Sequence, residues 1–168
     1  RMLEGAAPYT EFYTQRLPGI YATYGAALAL FGHASSSIRL ALLLTNMATA
    51  ALVYFVSRRL YSPYAGAVSA ASFGLLSLGA NGQGLFANSE HFVVFWAMSS
   101  LCVLICLWNG ERAWPLFAAG LLAGIGITIK QHGVFFAAAG GIYIAVEFAR
   151  NDPFDARAAR TAAAAFVA

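Results

Sequence analysis

The sequence predicts an all-α, polytopic bundle of about five transmembrane helices, and three observations support this fold class. The 168-residue chain is 60% hydrophobic and 10% charged, whereas soluble domains hold about 25% charged residues. Its apolar residues gather into long stretches without Asp, Glu, Lys or Arg, and a spanning helix needs roughly 17–25 such residues. Charged residues fall mainly between these stretches, where loops are expected. The stretches are 40–57, 60–89, 91–110, 113–129 and 131–146.

The pattern divides the chain into an opening loop and a bundle. We interpret residues 1–37 as an extracytoplasmic loop with an interfacial helix, and residues 38–168 as the transmembrane helix bundle. The loop holds one apolar run, Pro18 to Phe31, which is too short to span a membrane. Proline suits the first turn of a helix, and Gly32 suits the residue that ends one. The run therefore predicts a short helix at the membrane surface.

Turn and cap residues predict where the spans begin. The three serines at 35–37 are candidate N-caps of the first span, and Asn88 or Ser89 is the candidate cap of the third. Pro63 predicts a turn and the start of the second helix. The predicted spans are about 38–56, 64–78, 92–108, 115–129 and 134–148.

Basic residues predict the orientation, because short cytoplasmic loops are enriched in Lys and Arg. Alternate loops divide the ten basic residues six to four. The larger group, assigned to the cytoplasm, is Arg58, Arg59, Arg112, Arg150, Arg157 and Arg160. The smaller group, assigned to the outside, is Arg1, Arg16, Arg39 and Lys130. The net charge of +3 is thus explained by topology, and the absence of a basic stripe argues against nucleic acid as a partner.

Three separated segments reach the outer face by this topology: 11–16, 88–91 and 130–132. They bring acidic, basic and amide side chains together near the bilayer, where ionisable groups are costly and indicate a functional site. The alternative is that Glu90 and Lys130 only mark helix ends and extend into water. Both interpretations stay open at this point.

The opening loop carries the most specific pattern of the sequence: Tyr9, Glu11, Gln15, Arg16, Leu17, Pro18, Gly19 and Tyr21. It resembles the line Y-x-D-x-x-x-Q-K-P-P-G-x-Y of the dolichyl-phosphate-mannose-protein mannosyltransferase superfamily. These are GT-C glycosyltransferases, and they include bacterial Rgt-type enzymes and aminoarabinose transferases. Glu replaces Asp here, Arg replaces Lys, and Leu replaces the first Pro. The resemblance extends to Leu-Phe-Gly at 30–32, Arg39, Ala-Asn-x-Glu at 87–90 and Lys-Gln at 130–131.

The resemblance implies an enzyme that moves a sugar from a polyprenyl-phosphate carrier to a protein, lipid or polysaccharide on the outer side of the membrane. Such a reaction needs a cation for the phosphate and a carboxylate for the acceptor's proton. The expected catalytic residues are Glu11 and Glu90, and the expected donor-phosphate ligands are Arg16 and Lys130. The expected supporting residues are Tyr9, Gln15, Tyr21, Asn88 and Gln131.

Family members place their principal catalytic acid upstream of the position of Arg1, so Glu11 and Glu90 are expected to support the site. We expect the chain to be a piece of a longer protein, truncated at both ends, and expect this piece alone to be inactive. The expected location is the bacterial inner membrane, as a multi-pass protein with its site facing outwards.

No cofactor is firmly predicted. A divalent metal stays open, because three histidines also fall on the outer face, although none of them has the tight H-x-x-x-H spacing. Two other functions stay open. One is a transporter or channel segment lined by Glu90 and Lys130, and the other is a non-catalytic membrane assembly subunit. The first requires ionisable groups or broken helices near mid-bilayer, and Asn46 is the one strongly polar side chain well inside a predicted span.

Overall fold

A computed structural model describes residues 17–78, 88–108, 112–151, 161 and 164–166. Over these residues the chain is a helix bundle without strands, which confirms the predicted all-α class. The helices are α1 (Pro18–Phe31), α2 (Ser35–Leu60), α3 (Pro63–Leu78), α4 (Ser89–Leu107), α5 (Trp114–Ile129) and α6 (Gly133–Asn151). The predicted short helix and all five predicted spans are therefore present as helices.

Three of the described helices are long and apolar enough to cross a membrane: α2, α4 and, over Gly133–Arg150, α6. Helices α3 and α5 have 16 residues each, which is about 24 Å of helix at 1.5 Å per residue. That is less than the roughly 30 Å hydrocarbon core of a bilayer. Length alone thus supports three of the five predicted spans.

The joint between α1 and α2 agrees with the sequence-based prediction at Gly32 and disagrees with it at the serines that follow. Gly32 ends α1 with φ of +92°, a left-handed conformation that glycine adopts without a steric penalty. The serines after it do not cap α2, because the N-cap is Ala34 and no side chain caps it. Instead the Ser37 hydroxyl donates to the Phe31 carbonyl over 2.9 Å, so it bonds to the end of α1.

Helix α4 is central to the bundle and packs against α2, α5 and α6. Inside the bundle the buried Ser100 hydroxyl donates to the Ala119 carbonyl of α5 over 2.8 Å. Trp108, just after α4, lies against Phe148 near the end of α6, with ring centroids 5.5 Å apart. At the opposite end Glu90 of α4 pairs with Lys130, just before α6. Helices α4 and α6 therefore run in the same direction, and their beginnings share one end of the bundle.

Candidate active site

A polar cavity of about 250 Å³ lies where the start of α1, the start of α4 and the end of α5 meet. Its wall combines amide, hydroxyl and charged side chains with apolar ones. The lining residues are Leu17, Ile20, Asn88, Ser89, Glu90, Ile129, Lys130 and Gln131. Residues far apart in the sequence thus surround one space, as the topology of the chain predicted for the outer segments.

An apolar cluster holds the three elements together beneath this cavity. Ile20 of α1, Phe92 of α4 and Ile129 of α5 are buried in it. Tyr24 of α1 packs edge-on against Phe92, with ring centroids 5.9 Å apart. Edge-to-face aromatic pairs contribute about 0.5–1.5 kcal/mol beyond the area that they bury. The cluster fixes the first turn of α1 against the ends of α4 and α5, and so fixes one wall of the cavity.

Gly19 permits the closest approach in this region. A Cβ atom at this position would lie 2.6 Å from the backbone carbonyl carbon and oxygen of Thr128 in α5. Such a distance is well inside van der Waals contact, so any larger residue would push α1 away from α5. The glycine of the opening-loop pattern therefore has a structural reason: it lets the chain just before α1 reach the cavity.

Glu90 and Lys130 form an ion pair across the mouth of the site. Glu90 lies in the first turn of α4, and Lys130 is the C-terminal cap residue of α5, with an extended backbone. Forty residues separate them in the sequence. Their side chains are 57% and 34% exposed, respectively, so both remain accessible to a ligand.

A second cavity of about 210 Å³ adjoins the ion pair, and its surface is mostly apolar. It is lined by Glu90, Val93, Val94, Lys130, His132 and Phe136. Both members of the ion pair line both cavities. A polar space and an apolar space thus meet at one carboxylate and one ammonium group.

The structure brings together four of the site residues predicted from the sequence. Asn88, Glu90, Lys130 and Gln131 line the polar cavity. Tyr21 does not line it but packs against the apolar cluster beneath it. The other predicted residues, Tyr9, Glu11, Gln15 and Arg16, lie outside the described part of the chain, which begins at Leu17, itself a lining residue.

The residues of the apolar lining were not identified from the sequence. Val93 and Val94 follow Glu90 by three and four positions, and this spacing places residues on one face of a helix. That signal was available, but in a span where nearly every residue is apolar it does not distinguish a ligand wall from a lipid-facing surface. Among the described residues, no group of three His, Cys, Asp or Glu side chains is placed to hold a metal ion.

Comparison with protein families gives one match that covers nearly the whole chain. The model of the dolichyl-phosphate-mannose-protein mannosyltransferase family matches residues 16–168. The chain belongs to this mannosyltransferase family. The match contains all six helices and both cavities and confirms the resemblance to this family; of the opening-loop pattern it includes Arg16 to Tyr21.

Membership in the mannosyltransferase family indicates a membrane glycosyltransferase, and together with the three long apolar helices it supports an integral membrane protein. It also supports a lipid-linked sugar donor and an acceptor as the general kinds of partner. A transporter segment and a non-catalytic subunit are therefore not favoured. Comparisons with curated proteins and with solved structures find no significant match to the chain.

Proposed function

We propose that this chain forms the donor site of a glycosyltransferase that takes a sugar from a polyprenyl-phosphate carrier and passes it to an acceptor on the outer side of the membrane. The observation that supports this best is the position of Lys130, between a polar and an apolar cavity at one end of the bundle. A lipid-linked sugar has the same order of parts: a polar sugar, an anionic phosphate and an apolar tail.

In this proposal Lys130 holds the phosphate. Transfer breaks the bond between the sugar's anomeric carbon and the phosphate oxygen, and the acceptor oxygen forms the new bond. The phosphate leaves with the bonding electrons, so a fixed cation beside it stabilises the developing charge. Arg16 is proposed as a second phosphate ligand, because its planar guanidinium matches two phosphate oxygens.

The polar cavity would then hold the sugar. Its amide and hydroxyl groups, from Asn88, Ser89 and Gln131, suit the hydroxyls of a hexose or pentose. Glu11 and Glu90 are proposed as carboxylates that support proton transfer from the acceptor, with Tyr9, Gln15 and Tyr21 as supporting residues. The apolar cavity, with Val93, Val94 and Phe136 in its wall, would take the first units of the carrier's tail.

The outward orientation rests on the distribution of charge. Lys130 is on the side with fewer basic residues, and the ends of α2 and α6 on the other side carry Arg58, Arg59 and Arg150. Short cytoplasmic segments are enriched in such residues. A bacterial inner membrane is the proposed location, with the site on its outer face.

The test is sugar release by the full-length enzyme in lipid vesicles, with polyprenyl-phosphate hexoses and pentoses offered one at a time and the matching nucleotide sugars offered in parallel. We expect release from a lipid-linked sugar. Lys130→Ala should lower kcat/KM for the donor by roughly ten- to a hundredfold, the equivalent of one hydrogen bond to a charged group of about 1.5–3 kcal/mol.

The matched control is Arg39→Ala, because Arg39 is an exposed cation at the start of α2 and lines neither cavity. It should change kcat/KM much less. Release from nucleotide sugars alone would contradict the lipid-linked donor. Equal turnover by the Lys130→Ala variant and the wild type at sub-saturating donor would contradict the phosphate role.

A further inference from the structure

The Glu90–Lys130 ion pair separates the two cavities of the site. Both side chains line the polar cavity and the apolar cavity, and no other residue in the described part of the chain lines both. A ligand with a polar head on one side and an apolar tail on the other must therefore pass the ion pair. With the carboxylate in place, the Lys130 ammonium already has an anionic partner at the point that such a ligand would cross.

Breaking this ion pair costs little. Glu90 is 57% exposed and Lys130 is 34% exposed, and ion pairs between exposed side chains contribute only about 0.2–1 kcal/mol. The carboxylate is also stabilised elsewhere. Glu90 lies in the first turn of α4, where the helix dipole favours a negative charge by roughly 0.3–1 kcal/mol. The Ser89 hydroxyl is 3.4 Å from its second oxygen.

The backbone of Lys130 is held between two helices. Its amide donates to the Gly126 carbonyl at the end of α5, and its own carbonyl accepts from the Gly133 amide over 2.9 Å at the start of α6. Of the two side chains the Glu90 carboxylate is the more exposed, at 57% against 34%, so it can turn into solvent and leave the ammonium between the two cavities. When Glu90 turns away, the ammonium's donors become available to another anion.

From this geometry we propose that Glu90 is an exchangeable internal ligand of Lys130. Its carboxylate occupies the position of the donor phosphate in the empty enzyme, and the incoming phosphate displaces it. The exchange opens the two cavities into one binding site. It also selects for charge, because a neutral head group offers the ammonium nothing to replace the carboxylate. The proposal rests on the proposed function, in which Lys130 binds a lipid-linked phosphate.

The test is the affinity of the full-length enzyme for farnesyl phosphate, with farnesol as the neutral ligand that has the same tail. Four proteins are compared: wild type, Glu90→Gln, Lys130→Ala and the double variant. We expect Glu90→Gln to bind farnesyl phosphate roughly 1.5- to fivefold more tightly, the fold-change equivalent to an exposed ion pair. In the Lys130→Ala background the same substitution should give no gain. Farnesol, which offers the ammonium no anion, should bind the wild type more weakly than farnesyl phosphate does, and Lys130→Ala should remove most of this difference.

Each other outcome has a distinct meaning. If Lys130→Ala weakens binding but Glu90→Gln weakens it or leaves it unchanged, exchange is wrong and the phosphate role of Lys130 stands. If Glu90→Gln tightens binding equally with and without Lys130, the gain is a general effect of removing negative charge, and exchange is again wrong. If Lys130→Ala leaves binding unchanged, the phosphate role itself fails.

Discussion

At the residue scale, a few polar side chains in an apolar bundle have specific partners. Thr45 and Thr49 donate to the carbonyls four residues earlier in their own helix, so they do not link helices. Ser100 differs, because its hydroxyl donates to α5 rather than to α4. The buried hydroxyl of Ser100 is therefore expected to contribute to the association of these two helices.

Ser100→Ala should destabilise the protein by about 0.6–1.7 kcal/mol, from the average to the largest value measured for hydrogen bonds between membrane helices. The control is Ser99→Ala, because the half-buried Ser99 donates to the Phe95 carbonyl within α4 over 2.8 Å. Removing that bond leaves the contact between helices intact, so a smaller effect is expected. Unfolding in detergent, followed by circular dichroism, measures both variants. Equal losses would show that the bond to Ala119 has no special role.

At the element scale, the sequence predicts helices better than it predicts their ends. The apolar run from Pro18 to Phe31 matched α1 at both ends because Pro18 and Gly32 impose backbone geometry directly. The serine caps were wrong because α2 begins at Ser35 with Ala34 as its N-cap; the Ser37 hydroxyl donates to the Phe31 carbonyl instead, a contact that depends on how α1 folds back. Contacts across helices are not encoded in local sequence, and this is why the apolar cavity beside Glu90 was missed.

Gly19→Ala tests whether α1 must lie against α5. The added methyl would meet the Thr128 backbone, which cannot move aside as a flexible side chain does, so we expect a loss of about 1–3 kcal/mol typical of overpacking. Gly25 lies on the same helix, and a Cβ there would meet nothing within 4 Å. Gly25→Ala should therefore be neutral or stabilising by up to about 1 kcal/mol, from helix propensity.

The measurements are thermal unfolding in detergent and the KM for a lipid-linked donor. Gly19→Ala should also raise this KM, because Leu17 and Ile20 of the displaced segment line the polar cavity. If Gly19→Ala and Gly25→Ala have the same unfolding temperature and the same KM for the donor, the close approach of α1 to α5 does not position the site.

At the scale of the whole molecule, the charge-free stretches predicted the fold class. The alternation of loops between the two sides of the membrane predicted the convergence of distant segments. Four predicted site residues line one cavity because α4 and α6 begin at the same end of the bundle. The division into an opening loop of residues 1–37 and a bundle of residues 38–168 stays a prediction, as do the roles of Glu11 and Arg16. Their chemistry was inferred from resemblance to a family pattern, which assigns residues but not distances.

The central claim is that this end of the bundle faces outwards and binds the donor, and one labelling experiment tests both parts. Gln131→Cys is placed in a full-length protein whose Cys102 and Cys106 are replaced by Ala. Gln131 is exposed and lines the polar cavity, so a membrane-impermeant thiol reagent should reach it from outside intact cells. Polyprenyl phosphate should slow this labelling.

The control is His33→Cys in the same background, because His33 is exposed at the joint of α1 and α2 and lines neither cavity. It should be labelled from outside at a rate that polyprenyl phosphate does not change. The predicted result is that Gln131→Cys is labelled from outside, and that polyprenyl phosphate slows labelling at position 131 but not at position 33. Labelling only after permeabilisation, or labelling that polyprenyl phosphate leaves unchanged at position 131, would contradict the account.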